Sequence, residues 1–126
     1  MPYHVSKGQF AALVEKALSE LPDPFAAAIE SIPIEVRDRP SLRQLRDVGL
    51  KDDDLLLGLY HGRPLPQRSV EDSGRLPDLI YIFQQDIEMV CRSEAELVRQ
   101  VRTTVLHEIG HHFGMNEEDL KRLGYG

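Results

Sequence analysis

The chain has 126 residues, 41% of them hydrophobic, which predicts a single domain over residues 1–126 with one core. It carries 21 acidic against 15 basic residues and a formal net charge of −6, which argues against a nucleic-acid partner, since no basic stripe offsets it. No apolar run reaches membrane-spanning length and the first residues lack a secretory pattern, so we expect a cytoplasmic protein without a membrane partner.

The N-terminal third predicts two helices. Ser6 and Gln9 form a capping box at the start of the first helix, whose apolar residues recur at three- and four-residue steps until Pro22 ends it. Pro24 can open a short second helix. His4, before these helices, is expected at the surface near a frayed terminus.

The next segment predicts a strand followed by surface. Residues 32–36 alternate between apolar and polar, which favours a half-buried strand, and Pro33 places that strand near an edge. Residues 38–54 are expected to be surface. Their run of three aspartates, residues 52–54, lacks the Gly and terminal Glu of a calcium-binding loop and is interpreted as a solvated loop.

Two further strands complete the predicted sheet. Residues 55–60 form the first, and a loop rich in Pro, Gly, Ser and charge follows to Pro77. Residues 79–83 are continuously apolar, β-branched or aromatic, which predicts a central strand covered on both faces. A helical turn at 87–90 comes next, followed by Cys91, the only cysteine, which we expect to be a small buried or half-buried residue. This order indicates an α+β fold, with a small mixed sheet of three or four strands and helices mainly on one face.

The last long element is predicted to be a helix over about Glu94–His112. Ser93 and Glu96 form a capping box, and apolar residues follow at helical steps: Leu97, Val98, Val101, Val105, Leu106, Ile109 and Phe113. Gly110 lowers helix propensity by up to about 1 kcal/mol relative to Ala. Either close packing or the approach of a substrate leaves no room for a side chain at Gly110, or the glycine is simply tolerated.

This helix carries the His-Glu-x-x-His pattern of zinc hydrolases. His107 and His111 lie one turn apart and can direct two imidazoles at one metal ion. Glu108 lies about 100° round the helix from His107, where it can act on water as a general base without being a ligand. The pattern predicts one Zn²⁺ per chain.

The third metal ligand is predicted after the helix. A catalytic zinc ion keeps three protein ligands, and in the longer His-Glu-x-x-His-x-x-Gly-x-x-His pattern the chain turns at the Gly to supply the third. Gly114 stands at that position and Glu117 replaces the last His. Glu118 or Asp119 can substitute for Glu117 if the turn differs by one residue.

Three other side chains are secondary candidates. His112 lies about 100° round the helix from His111, so we expect it to be packed or to support a ligand rather than to bind metal. Tyr60 and His61 sit at a strand end, where an oxyanion stabiliser could stand, although a structural role is the simpler interpretation.

Four blocks together resemble the minimal zincin-like metallopeptidase family of small bacterial proteins: Ala17–Pro22, Leu56–Leu65, Leu76–Phe83 and His107–Gly114. The resemblance implies a compact zincin-like fold with the active-site helix under a small sheet. It also implies metal-dependent peptidase activity, with His107 and His111 as ligands and Glu108 as base. Glu117 departs from the zincin pattern, in which a His takes this place.

The motif favours hydrolysis of a peptide or small protein substrate. Little sequence follows Glu117 to build a pocket floor, so we expect a shallow cleft, a small or flexible substrate, or a partner chain that completes the site. Two alternatives remain open. One is a non-catalytic zinc-binding interaction module, and the other is a metal-dependent endoribonuclease, which the acidic balance disfavours.

Overall fold

The structure is a computed structural model that describes residues 2–62 and 78–122. These residues form six helices and three strands. In chain order the elements are α1 (Lys7–Ser19), α2 (Phe25–Ala28), β1 (Ile34–Arg37), α3 (Leu42–Asp47), β2 (Gly58–His61), β3 (Leu79–Phe83), α4 (Gln84–Met89), α5 (Glu94–His112) and α6 (Glu117–Arg122).

The three strands form one mixed sheet in the order β1-β3-β2. β1 is parallel to β3, and β2 is antiparallel to it. The prediction of β3 as the central strand is therefore confirmed, as is the mixed α+β class. Ile80 and Ile82 are fully buried on one face, whereas Leu79 and Tyr81 on the other are only half-buried. The expectation that both faces of β3 are covered holds only in part, because the helices pack mainly against the Ile80 face, although Phe83 on the opposite face is also fully buried.

The core lies between the sheet and the two long helices. Phe10, Leu13, Val14 and Ala17 of α1 pack in the same buried cluster as the inward side of α5: Leu97, Val98, Val101, Val105, Leu106 and Ile109. Cys91 also belongs to this cluster, as expected. Each Å² of buried apolar surface contributes about 25 cal/mol to stability. This burial is the main contribution that holds α5 in place.

The caps of the two long helices differ in detail. At α1 the predicted box is complete, because Ser6 and Gln9 each accept a hydrogen bond from the other's backbone N–H. At α5 the Ser93 hydroxyl accepts from the N–H of Glu96, but the Glu96 carboxylate accepts from Arg92 instead of Ser93. The predicted start of α5 is confirmed, although only one of the two hydrogen bonds of the capping box is present.

One helix was missed and several boundaries moved. The segment 38–54, expected to be surface, is mostly exposed, but it contains α3, which Ser41 and Gln44 cap reciprocally and which buries Leu45. This helix was missed because the surrounding charges masked one short capped helix with a single inward residue. The helical turn predicted at 87–90 begins earlier, at Gln84, and β1 and β2 begin two and three residues later than expected. The predicted loop up to Pro77 falls, beyond Gly62, outside the described residues.

The N-terminal segment is more ordered than the frayed terminus that was predicted. The His4 side chain is 64% exposed, yet its Nδ1 lies 3.1 Å from Oε1 of Glu88. The backbone N–H of Tyr3 donates to the carbonyls of Glu88 and Cys91. Within residues 2–62 and 78–122, no helix combines the length and apolar character needed to cross a bilayer.

Candidate metal centre

The last turns of α5 bring three side chains of the motif together. Metal-binding atoms of His107, Glu108 and His111 all lie within 4.8 Å of one another. The ring centroids of the two histidines are 5.1 Å apart, as expected for positions i and i+4 of one helix. His107 is half-buried and His111 is exposed, so the imidazoles open toward solvent while α5 holds them from behind.

The chain reverses direction immediately after α5. Gly114 has φ of 77°, a left-handed conformation that a side chain disfavours. The N–H of Gly114 donates to the carbonyl of His111 at 3.0 Å, and that of Met115 to the carbonyl of Gly110 at 2.8 Å. This pair of bonds is a Schellman motif, which satisfies the last carbonyls of the helix and turns the chain back.

Helix α6 then docks on the end of α5. Asn116 and Asp119 cap α6 reciprocally, with the Asn116 side chain accepting from the N–H of Asp119 at 2.8 Å. Leu120 is fully buried beside Gly110, where an added Cβ would lie 2.7 Å from the Leu120 Cδ2 atom. Of the interpretations of Gly110, close packing is the one that the structure supports.

This docking brings Glu117 to the histidines. Its Oε1 lies 2.8 Å from Nε2 of His107, although 68% of the carboxylate side chain is exposed. Glu117 is not a member of the tighter cluster formed by His107, Glu108 and His111, and its contact is with His107. Glu118 is also exposed on α6, but the ion pair to His107 comes from Glu117.

Glu108 is held by the sheet. Its Oε1 accepts a 2.8 Å hydrogen bond from the backbone N–H of Tyr60 in β2. The approach of β2 requires Gly58, where a Cβ would lie 2.5 Å from Thr104 Cγ2 on α5 and 3.5 Å from Glu108 Cγ. The carboxylate is therefore fixed by a neighbouring strand instead of pointing freely into solvent.

The environment raises the pKa of Glu108. Glu108 is only 9% exposed, and this burial is the largest cause because it penalises the charged form. The imidazoles of His111 and His107 and the N–H of Tyr60 oppose the shift without cancelling it. A carboxyl group with a raised pKa is a better proton acceptor, which suits a general base.

His112 faces a different set of partners. Its Nδ1 lies 2.9 Å from Oδ2 of Asp78 and 3.3 Å from the hydroxyl of Tyr60, and both His112 and Asp78 are buried. His112 therefore points away from the other two histidines of the helix, as the helical geometry predicts. Asp78 was missed from the sequence, because a lone aspartate before a strand carries no signal of its partner.

Tyr60 and His61 diverge at the end of β2. Tyr60 turns its hydroxyl toward His112, and their rings meet edge to face at a centroid distance of 5.9 Å. His61 is exposed and lines a groove with Arg37 and Tyr81 on the sheet face away from α5. Among the described residues, His61 is not a member of the cluster of His107, Glu108 and His111.

The donor set suits zinc. Imidazole nitrogens and carboxylate oxygens are accepted zinc ligands, and two histidines with one carboxylate is a known catalytic combination. The residues present, His107 and His111 with Glu117 beside them, offer that combination without any cysteine. Soft sites built from thiolates are excluded because Cys91 is buried in the core.

Comparisons with known proteins agree with this description. A conserved hypothetical protein from Thermo thermophilus has a similar solved structure, with a TM-score of 0.55 and 24% identity over 94% of this chain and 97% of that one. At that identity the likeness supports the fold alone. A comparison with curated proteins gives no match. The sequence model of zincin-like metallopeptidases matches residues 29–126, well over half of the sequence, and the chain therefore belongs to the zincin-like metallopeptidase family.

Proposed function

We propose that this chain is a zinc-dependent peptidase in which His107, His111 and Glu117 hold one Zn²⁺ and Glu108 is the general base. The observation that carries the proposal is the cluster of His107, Glu108 and His111 within 4.8 Å on one rigid helix. Family membership supports the same reaction class. Bound zinc would supply Lewis-acid polarisation of the scissile carbonyl and acidify the attacking water.

The protein's own contribution would be proton transfer by a side chain that is held in a fixed position. Glu108 would take a proton from the attacking water and deliver it to the amine that leaves when the peptide C–N bond breaks. Its raised pKa and its hydrogen bond from Tyr60 support this role, since the first favours proton uptake and the second fixes the direction of the carboxylate. Proton transfer by a positioned group contributes roughly 10²–10⁴-fold in rate.

The substrate proposed is an extended peptide or a small, flexible protein. In the sheet as described, β2 is an edge strand, and its Tyr60 contacts the base directly. An extended peptide could add to that edge through backbone hydrogen bonds and so reach the metal ligands. His111 and Glu117 are both exposed. For a larger substrate, we therefore propose that a partner chain covers these two side chains.

Metal content tests the ligand set. Mass spectrometry of the untagged protein should find about one zinc per chain in the wild type. His111→Ala and Glu117→Ala should lose it, whereas Glu118→Ala, which removes the neighbouring exposed carboxylate of α6, should keep it. Loss of zinc in Glu118→Ala but not in Glu117→Ala would move the third ligand by one residue. No metal after zinc loading would refute the site.

Activity separates the proposal from its alternatives. A peptide library incubated with the zinc-loaded protein should yield cleavage products that disappear with Glu108→Gln. Bound zinc without any cleavage would favour the non-catalytic interaction module. RNA binding that weakens steeply with salt, together with RNA cleavage, would instead favour the endoribonuclease.

A further inference from the structure

A polar cluster, in which Asp78 and His112 are buried and Tyr60 is half-buried, lies next to the proposed catalytic base. It consists of Asp78, His112 and Tyr60, which come from the residue before β3, the last residue of α5 and the middle of β2. Nδ1 of His112 is 2.9 Å from the Asp78 carboxylate and 3.3 Å from the Tyr60 hydroxyl. Buried polar groups stay in place only when hydrogen-bonded, so this cluster ties three chain segments together.

Tyr60 connects that cluster to Glu108. Its hydroxyl reaches His112, and its backbone N–H donates to Oε1 of Glu108 at 2.8 Å. Glu108 and His112 are four residues apart on α5 and therefore lie on the same face, one turn apart. One residue of β2 thus contacts two successive turns of the active-site helix.

The fit around Tyr60 leaves little room for movement. At Gly62, just past the end of β2, an added Cβ would overlap Oδ1 of Asp78 and lie 2.9 Å from the Tyr60 hydroxyl. At Gly58 an added Cβ would lie 2.5 Å from Thr104 of α5. Because the backbone is closely packed at both ends of β2, a shift of the Tyr60 side chain should also shift the backbone N–H of Tyr60.

We propose that Asp78 and His112 are positioning residues, which act through Tyr60 to hold its backbone N–H on Glu108 and so fix the direction of the catalytic carboxylate. The catalytic part of this inference rests on the proposed function. Its structural content, the coupling of the cluster to the Tyr60 N–H, stands independently of any activity. Misplacing a base by about 1 Å can lower a rate 10²-fold, so a positioning role has a measurable effect.

The coupling is tested by NMR of the Tyr60 backbone amide. A hydrogen bond from an amide to a carboxylate moves the amide proton downfield, so Glu108→Gln should move the Tyr60 amide upfield in the zinc-loaded protein. Tyr60→Phe, which removes only the hydroxyl, and Asp78→Asn should each move the residue-60 amide part of the way in the same direction. Tyr81→Phe, on the other sheet face, is the matched control and should leave it in place.

The catalytic consequence is tested on the same variants. Tyr60→Phe and Asp78→Asn should keep about one zinc per chain and lower kcat roughly tenfold, with KM little changed. A residue-60 amide at its wild-type position in Tyr60→Phe would overturn the inference, even if the variant melts at a lower temperature. Tyr60→Phe decides the question alone if Asp78→Asn does not fold.

The two proposals fail separately. A wild type that cleaves no peptide, but whose residue-60 amide moves in the variants as described, would sink the peptidase and leave the coupling intact. A wild type that cleaves peptides, with an unmoved amide and unchanged kcat in Tyr60→Phe, would sink only the positioning role.

Discussion

Two buried glutamates of this fold have pKa values that are shifted in opposite directions. Glu88 of α4 is 3% exposed and Glu108 of α5 is 9% exposed. Burial alone raises the pKa of Glu88, but hydrogen bonds from the Val5 N–H, His4 and Gln84 outweigh it and the net pKa is lowered. At Glu108 burial prevails and the pKa is raised. The number of hydrogen-bond donors, more than the depth of burial, decides the direction in which each pKa is shifted.

The largest effect should appear when Glu108 is replaced by its amide. Glu108→Gln keeps the size and burial of the side chain but cannot accept a proton, so kcat should fall roughly 10²–10⁴-fold. Peptide-cleavage kinetics on the zinc-loaded protein measure this, with zinc content as the control for an intact site. A variant that cleaves at the wild-type rate would show that Glu108 is not the base.

Truncating Glu88 should affect stability instead. Glu88→Ala removes the acceptor for the Val5 N–H and the Gln84 amide, and the free energy of unfolding should drop by about 2–4 kcal/mol. Urea denaturation measures the change. Glu15→Ala, on the exposed side of α1, is the matched control and should stay within about 0.5 kcal/mol of the wild type. Equal losses in both variants would show that the hydrogen bonds of Glu88 do not stabilise the fold.

The Glu108 region also depends on a missing side chain. Gly110→Ala places a Cβ against buried Leu120, so α6 should loosen at a cost of about 1–2 kcal/mol and zinc should bind more weakly as Glu117 moves. Gly8→Ala in α1, where a Cβ meets nothing within 4 Å, should be neutral or stabilising. Calorimetric zinc titration of both variants measures the difference, and an unchanged affinity in Gly110→Ala would refute the link.

The smallest effect is the pH dependence of stability in the metal-free protein. Because the folded pKa of Glu88 lies below its ordinary value of 4.5, its stabilisation is full above that pH and is lost as the pH falls further. The raised pKa of Glu108 has the opposite sign, since its penalty is absent below 4.5 and grows as the pH rises through the folded pKa.

Urea curves across this range distinguish the two signs. The stability lost in Glu88→Gln should shrink as the solution is acidified below about pH 4.5. Any stability gained in Glu108→Gln should grow as the pH rises above it. Parallel pH profiles for the two variants would show that the glutamates do not differ as described.

The local parts of the fold were readable from the sequence. Helix α5 follows from a serine cap and a long apolar period, and the approach of His107 to His111 follows from helical geometry alone. The turn at Gly114 and the return of Glu117 could be anticipated for the same reason, since all of these residues lie close together along the chain.

The contacts that hold Glu108 could not be read from the sequence in this way. The hydrogen bond from Tyr60 to Glu108 spans 48 positions, and that between Asp78 and His112 spans 34. Neither the backbone N–H of a tyrosine nor a lone aspartate before a strand announces its partner. Helix α3 is a different failure, because its capping residues, Ser41 and Gln44, were present and were outweighed by the charged residues around them.

The Schellman turn at Gly114 lets the proposed metal ligands come together locally, whereas the contact that holds Glu108 joins distant parts of the chain. All the proposed metal ligands lie within residues 107–117, so one helix end and the turn after it suffice to assemble them. The anchor for Glu108 closes a far longer loop, from β2 to α5, and such contacts form only when the sheet has docked. A chain with only α5 and its turn in place would therefore bring the proposed ligands together before Tyr60 fixes the direction of the Glu108 carboxylate.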